Sequence, residues 1–236
     1  IAGALAGAVM LIGPTLLKTR LGVDEVVTTL LLNFIVILFV QMMLEGALKD
    51  PMSMGWPQSE PVIDSAVLPP LIERMRVHLG LVIALICAVA LAIFVKRTVW
   101  GFEIRAVGEN AAAARFSGIS VTKTMVLVAM LSGGLAGLAG VSEVAGTRGY
   151  LATDLSPGYG YAGIVVAMLA RLSPVGVIIS AVFVASVFVG ADSMSRAIGV
   201  SSYLADLIVA MSLLCVLIGG FLTRFKVHFE RQKSAG

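Results

Sequence analysis

Long apolar blocks separated by short polar segments dominate the chain. A helix needs about 20 apolar residues to cross the hydrocarbon core of a bilayer. Six blocks approach or reach that length, near residues 1–17, 26–44, 78–95, 123–145, 175–191 and 204–222. A seventh block, 161–172, is shorter, and Ser173-Pro174 interrupts it, so it predicts a broken or re-entrant helix. The pattern therefore predicts an all-α, polytopic transmembrane bundle, with residues 1–236 in a single transmembrane domain.

Composition agrees with this fold class. Of the 236 residues, 58% are hydrophobic and 13% are charged, with a mean hydropathy of +1.00. Soluble domains are typically about half apolar and about a quarter charged. The net charge of +3 does not point to nucleic acid, because basic loops are usual in inner-membrane proteins. We expect a lipid bilayer around the chain and no nucleic-acid partner.

Small residues recur at four-residue spacing in two of the blocks. Gly3 and Gly7 form a GxxxG step, and Ser132, Ala136 and Gly140 form a similar stripe in the block 123–145. Such stripes let two helix backbones approach closely in a membrane. We therefore expect both blocks to take part in close helix packing.

The distribution of Lys and Arg predicts the orientation. One set of loops is the richer in these residues, and cytoplasmic loops carry that excess. The richer set holds Lys18, Arg20, Lys96, Arg97, Arg105, Arg115, Lys123, Arg224, Lys226, Arg231 and Lys233. The opposite set holds Lys49, Arg74, Arg76, Arg148 and Arg196, offset by nearby carboxylates. The loop 96–122 is therefore expected in the cytoplasm.

A faint internal repeat relates the two ends of the chain. Residues 1–33 align without gaps on 178–210, so that Gly13 matches Gly190 and Gly22 matches Gly199. The matching loops fall on opposite predicted sides, which is typical of inverted repeats in transporters. Chance similarity between apolar segments is the alternative. A real repeat would require roughly two or more further spans before Ile1.

The polar loop 96–122 encodes a short helix. Asn110 is a good N-cap, residues 111–114 are four alanines, and Gly118 suits the left-handed conformation that ends a helix. A helix at 110–117 in a cytoplasmic loop offers a docking surface for a separate protein. The alternative is an ordinary connecting loop with a helical turn.

At this loop the chain resembles a known family. The pattern Gly-x-Asn-x-x-Ala-Ala-x-x-(Ser/Ala)-Gly-Ile is that of the coupling loop in ABC-importer permeases for simple sugars, nucleosides and branched-chain amino acids. The matching residues are Gly108, Asn110, Ala113, Ala114, Ser117, Gly118 and Ile119. Many members have proline where this chain has Ala111. Residues 22–34, GVDEVVTTLLLNF, resemble a signature of the nucleoside-type permeases and depart from it at Asp24 and Phe34. Residues 199–203, GVSSY, also resemble the family's C-terminal region.

The resemblance implies a multi-pass permease subunit of the bacterial cytoplasmic (inner) membrane that imports nucleosides by alternating access. It implies three partners: a cytoplasmic ABC ATPase, a second related permease subunit and an extracytoplasmic substrate-binding protein. The chain has no Gly-x-x-x-x-Gly-Lys-(Ser/Thr) loop, so ATP–Mg is expected on the partner ATPase and no cofactor on this chain. The expected coupling residues are Gly108, Glu109, Asn110, Ala113, Ala114, Arg115, Ser117 and Gly118.

Other functions stay open. Within the family the cargo could be a pentose, another simple sugar or a branched-chain amino acid. An ion-coupled secondary transporter would need a carboxylate or histidine relay at membrane depth, yet the carboxylates near the apolar blocks fall close to their ends. A membrane enzyme is disfavoured because no catalytic triad or metal-ligand cluster stands out. Cys87 and Cys215 are expected to be buried hydrophobes, and His78 and His228 fall on opposite sides.

Polar side chains within or beside the spans are the candidates for a substrate path. Thr29 and Asn33 share a helix face, and Gln41 lies further along the same span. They could hydrogen-bond sugar hydroxyls, or they could simply join helices.

A second group of polar and aromatic residues is external: Tyr150, Tyr159, Tyr161, Glu143, Arg148 and Asp154. The tyrosines could stack on a nucleobase or form an interfacial aromatic belt; Tyr159 and Tyr161 join the candidate path. Arg171 beside the helix break either lies at membrane depth with a partner or anchors a cytoplasmic span end.

Overall fold

Helices form the described part of the chain, in a computed structural model that describes residues 1–71, 78–156 and 158–198 and a few isolated positions between 207 and 219. In the described part the α-helices are α1 (Ala2–Leu21), α2 (Glu25–Glu45), α3 (Leu79–Arg97), α4 (Val99–Glu109), α5 (Ala111–Phe116), α6 (Val121–Glu143), α7 (Tyr159–Leu169) and α8 (Pro174–Ile198). The chain divides into two compact units, Ile1–Pro157 and Gly158–Gly236.

Five of the helices described are long and apolar enough to cross a membrane: α1, α2, α3, α6 with its π-helical extension to Arg148, and α8. The predicted all-α, multi-pass fold is therefore confirmed. The predicted span 204–222 and the basic tail after it lie largely or wholly outside the described residues, as do Gly199 and Val200 of the proposed repeat.

The connection between α1 and α2 is tighter than predicted. Lys18 and Arg20 lie in the last turn of α1 rather than in a loop, and Gly22 ends the helix with φ of 68°. The Asp24 carboxylate then accepts a hydrogen bond from the Val26 N–H at 2.8 Å and caps α2. Aspartate and asparagine are equally good N-caps, so the departure from the family signature at this position preserves the turn.

Helix α1 packs against α6 through glycines on both helices. A Cβ added to Gly7 would lie 2.2 Å from the Gly133 carbonyl oxygen, and one added to Gly137 would lie 2.0 Å from the Gly3 oxygen. The predicted GxxxG step of α1 is therefore confirmed. In α6 the predicted stripe was wrong, because the contact runs through Gly133 and Gly137, whereas nothing lies within 4 Å of a Cβ added to Gly140.

These contacts make α6 antiparallel to both of its neighbours. Gly3 meets Gly137 and Gly7 meets Gly133, and the start of α3 at Gly80 meets Ser142 near the end of α6. The C-terminal ends of α1 and α3 therefore lie at the same end as the start of α6. Five basic residues at these helix ends, Lys18, Arg20, Lys96, Arg97 and Lys123, therefore lie at the same end of the unit, in agreement with their assignment to one side.

The proline-rich segment 46–71 lies at the opposite end. Its prolines disfavour a long helix, and the helical structure within its described residues is the 3₁₀ turn Asp64–Ala66. The segment bonds instead to the chain that follows α6: the Ser59 N–H donates to the Leu151 carbonyl at 2.9 Å, and the Val62 N–H donates to the Gly149 carbonyl at 2.7 Å. These bonds satisfy backbone groups that proline prevents from joining a helix.

In the second unit a tight reversal separates α7 from α8, as the Ser173-Pro174 signal predicted. The Leu172 N–H donates to the Ala167 carbonyl at 2.9 Å and the Arg171 N–H to the Met168 carbonyl at 3.0 Å. This is the Schellman pattern, which needs a left-handed residue after the C-cap. Arg171 has φ of 52° and fills that position, where glycine is usual. Both alternatives for its role stay predictions.

Candidate functional site

The loop 96–122 contains two helices, and the prediction of a single short one was incomplete. Helix α4 begins at Thr98, whose hydroxyl accepts a hydrogen bond from the Gly101 N–H at 3.0 Å. The sequence did carry a signal for this helix, in the N-cap residue Thr98 and in the three-residue spacing of the apolar Ile104 and Val107. Glycines at 101 and 108 weakened it, because glycine disfavours helix by about 1 kcal/mol relative to alanine.

Helix α4 lies directly on the C-terminal end of α3. A Cβ added to Gly101 would lie 2.4 Å from the Val95 carbonyl oxygen and 2.5 Å from that of Phe94. The Arg105 guanidinium donates a hydrogen bond to the same Val95 oxygen. The last carbonyls of a helix have no partners within it, and the hydrogen bond from Arg105 supplies one for Val95. The close contact at Gly101 holds α4 against the end of α3.

Asn110 joins α4 to α5. It ends the first helix with an extended backbone, and its side-chain oxygen accepts hydrogen bonds from the Ala112 and Ala113 N–H groups, each at 3.0 Å. The predicted N-cap is confirmed. One residue therefore sets the angle between two helices and satisfies two of the four free N–H groups at the start of α5.

The end of α5 is equally well defined. Gly118 has φ of 85°, its N–H donates to the Arg115 carbonyl, and the Ile119 N–H donates to the Ala114 carbonyl, each at 3.0 Å. This is again a Schellman motif, and the predicted left-handed Gly118 is confirmed. Ser117, the C-cap, also donates its hydroxyl proton to the Ala113 carbonyl at 3.0 Å.

A small apolar core holds α5 against its neighbours. It joins Val107 of α4, Ala114 of α5 and Val121 of α6, with Ile119 and Met125 packed against it. Ala114 is only 4% exposed. The docking surface predicted at 110–117 therefore excludes the side chain of Ala114, which packs beneath the helix and positions it, whereas Ala113 stays exposed.

The outward side of α5 carries one residue that the sequence reasoning missed. Phe116 is 95% exposed, beside exposed Ala112, Ala113 and Arg115. A lone aromatic in a polar loop was the available signal. In the part of the chain that the structure describes, neither Arg115 nor the exposed Glu109 forms an ion pair. Gly108 is exposed at the end of α4.

Replacing Asn110 with alanine is expected to loosen α5. Loss of the side-chain acceptor leaves the Ala112 and Ala113 N–H groups without a partner, which costs about 1 kcal/mol. Amide hydrogen exchange at residues 112–114 should accelerate several-fold, while exchange in α6 stays unchanged. Asn110→Asp keeps an acceptor and should exchange like the parent protein. Equal protection in the alanine variant would show that tertiary packing alone holds the helix.

The structure places the candidate path residues on two separate helices. On α2, the Thr29 hydroxyl donates to the backbone carbonyls of Glu25 and Val26 at 2.8 and 3.0 Å. Asn33 and Gln41 are exposed, and neither side chain has a hydrogen bond within the described residues. A path role for Thr29 would require its hydroxyl to leave these backbone acceptors.

On α7, the Tyr159 ring meets Phe188 of α8 edge to face, with centroids 6.1 Å apart, and Tyr161 is exposed.

Of the predicted external cluster, Arg148 and Asp154 form an ion pair at 3.3 Å in the first unit. Glu143 accepts a hydrogen bond from Thr147, whose hydroxyl also contacts the His78 ring at 3.2 Å. His78 in addition caps α3 through the Gly80 N–H.

Comparison with known proteins identifies a family model and several relatives that match this chain. Residues 1–217 match the family model described as "Branched-chain amino acid transport system / permease component". The glucose ABC transporter permease protein TsgB13 of Haloferax volcanii is 35% identical over 98% of this chain. The guanosine ABC transporter permease protein NupP of Bacillus subtilis is 32% identical over 100% of it, and the nucleoside ABC transporter permease protein NupB of Lactococcus lactis is 32% identical over 83%. The chain spans 64%, 68% and 56% of the lengths of these relatives, respectively. No solved structure matches.

Proposed function

The chain belongs to the branched-chain amino acid transport system / permease component family, and from that membership we propose that it is the membrane-spanning permease of an ABC importer for nucleosides. Two of the relatives above are named for guanosine or nucleoside transport. The resemblance of residues 22–34 to the signature of the nucleoside-type permeases also favours this cargo. The transporter would act in the cytoplasmic membrane.

The observation that carries the proposal is the construction of α5. The helix is capped at both ends and packs on its inner side in the core of Val107, Ala114 and Val121. Its outer side is exposed. A force applied to α5 therefore passes to α4 and α6 through packed contacts. This is what a coupling helix requires, because a motor protein can shift a transporter between two states only through contacts that differ between them.

Three partners follow from this proposal. A cytoplasmic ATPase binds and hydrolyses ATP–Mg and receives the outer side of α5, where Phe116 inserts into a groove and Glu109 and Arg115 pair with surface charges. A second related permease subunit completes the pathway. A substrate-binding protein delivers the cargo from outside. This chain would bind no cofactor and perform no chemistry itself.

The cargo path would run along α2. An amide in hydrocarbon without a partner is costly, and Asn33 has no hydrogen bond within the described residues. Its amide therefore supports a face that lines a cavity, where it can bond ribose hydroxyls. Thr29 and Gln41 extend that face. In the second unit, considered by itself, Tyr159 and Tyr161 stay candidates for stacking on a base.

A second candidate cargo is a simple sugar. The glucose permease of Haloferax volcanii is 35% identical to this chain and aligns over nearly all of it. Sugars and nucleosides share the hydroxyl groups that Asn33 would bind, so the described residues of α2 serve either cargo.

Uptake of labelled uridine tests both cargoes. Cells would express the full-length protein with its neighbouring transporter subunits and be challenged with unlabelled adenosine, glucose, ribose, xylose or leucine, with and without ATP depletion. Nucleoside import predicts ATP-dependent uptake that adenosine blocks and the sugars and leucine do not. Labelled glucose or ribose uptake without uridine uptake would favour the sugar candidate. Uptake that survives ATP depletion and stops when the ion gradient collapses would contradict the ABC mechanism.

A further inference from the structure

Helix α4 exposes apolar side chains at its N-terminal end. Val99 is 73% exposed, Phe102 is 58% exposed and Trp100 is half-exposed. Gly101 lies on the opposite side of this end and packs against α3, whereas Val107 is buried at the other end of the helix, in the small core with Ala114 and Val121. Exposed apolar side chains grouped on one end of a helix indicate a contact with something apolar.

The position of α4 restricts what that contact can be. Only Thr98 separates α4 from the membrane-spanning α3. Gly101 and Arg105 are in contact with the Val95 carbonyl, in the last turn of α3. The N-terminal end of α4 therefore lies where α3, as a membrane-spanning helix, leaves the hydrocarbon core.

The charges around this end favour a lipid surface. Lys96 and Arg97 are exposed in the last turn of α3, and Arg105 is exposed on α4 itself. Lys and Arg beside Trp and other apolar residues are the composition of helices that lie in the membrane interface. Anionic lipids attract such basic groups at the cytoplasmic surface.

We propose that α4 is an interfacial helix, with Val99, Trp100 and Phe102 inserted between lipid headgroups and with anionic phospholipids paired to Lys96 and Arg97. The membrane surface then fixes the distance of α4 from the bilayer centre. Because Asn110 joins α4 to α5, the position of α5 relative to the membrane is fixed as well. This inference depends on the membrane-spanning character of α3 and not on the cargo or the ATPase, so it stands or fails separately from the proposed function.

Spin labels on single cysteines can measure the depth. The full-length protein, free of native cysteines, would carry Val99→Cys or Phe102→Cys and be reconstituted without ATPase in vesicles of phosphatidylethanolamine and phosphatidylglycerol. The proposal predicts that oxygen relaxes both labels several-fold more than a water-soluble nickel complex does. Ala112→Cys, on the exposed side of α5, is the matched control and should show the reverse order.

Two outcomes would overturn the proposal. Labels at 99 and 102 that are as accessible to nickel as the control would place α4 in water. Labels that become protected only when the ATPase is added would assign this side of α4 to that protein.

A separate set of variants tests the role of the charged residues Lys96 and Arg97. Lys96→Gln with Arg97→Gln should reduce the oxygen preference at 102, and vesicles of phosphatidylcholine alone should reduce it in the parent to a similar degree. Equal depth in all four combinations would remove the part assigned to anionic lipid.

Discussion

Replacing Gly118 with valine is expected to leave the protein folded in the membrane and, on the proposed function, to abolish most of its coupling to a partner ATPase. Gly118 has φ of 85°, a conformation that a β-branched residue resists at a cost of about 1–3 kcal/mol. A Cβ at this position would meet nothing within 4 Å, so the effect is conformational and not a clash. Because about 1.4 kcal/mol is a factor of ten, the equilibrium constant for correctly terminated α5 should fall by about 5- to 150-fold. ATP hydrolysis stimulated by the loaded binding protein, measured in reconstituted vesicles, should fall to the same extent.

Gly118→Asn is the matched control. Asparagine tolerates the left-handed region far better than valine does, so this variant should keep most of the stimulated ATP hydrolysis. Expression and thermal stability in detergent should be similar for both variants, since the rest of the fold does not contact the added side chain. Full coupling in the valine variant would contradict a role for the α5 terminus in docking.

Replacing Gly133 with leucine is expected to separate α1 from α6. A Cβ here would lie 2.2 Å from the Gly7 carbonyl oxygen and 2.8 Å from its carbon, both of them backbone atoms that no rotamer change can move. Adding a side chain to a well-packed contact costs about 1–3 kcal/mol, occasionally more. We expect the cost at Gly133 to lie at the upper end of this range. We expect a large drop in the temperature at which the detergent-solubilised protein loses its monodisperse peak in size-exclusion chromatography.

Gly140→Leu is the control in the same helix. No atom lies within 4 Å of a Cβ added there, and leucine is a better helix former than glycine, by somewhat less than the ~0.8–1 kcal/mol that separates glycine from alanine. Its melting behaviour should match that of the parent protein or improve on it. Equal destabilisation by the two substitutions would show that lipid contacts, and not the contact with α1, make glycine necessary in α6.

Local signals in the sequence predicted more of the candidate coupling helix α5 than of the membrane bundle. Asn110 and Gly118 act through backbone groups two to four residues away, so their residue types were enough to place both ends of α5. The break at Ser173-Pro174 was predictable for the same reason, because proline excludes a continuous helix whatever surrounds it. The orientation of the loops followed from charge alone, and the described unit Ile1–Pro157 agrees with it.

The tertiary structure decided which side of each element is used. Four successive alanines look alike in sequence, yet Ala114 is buried and Ala113 is exposed, because Val107 and Val121 approach from one side only. Helix α4 was not predicted because Gly101 weakens a helix locally. The same glycine allows the backbone contact with α3 that stabilises α4.

The same distinction applies to the glycines of α6. Apolar spans offer several stripes of small residues, and sequence spacing marked 132, 136 and 140, whereas the contact uses Gly133 and Gly137. Only the position of α1 distinguishes them, because backbone approach in a membrane depends on which stripe faces the neighbouring helix. The sequence by itself determined the helical, membrane-spanning class, the caps and the breaks, through interactions local along the chain. The packed faces, and with them the exposed Phe116, came only from contacts between residues distant in sequence.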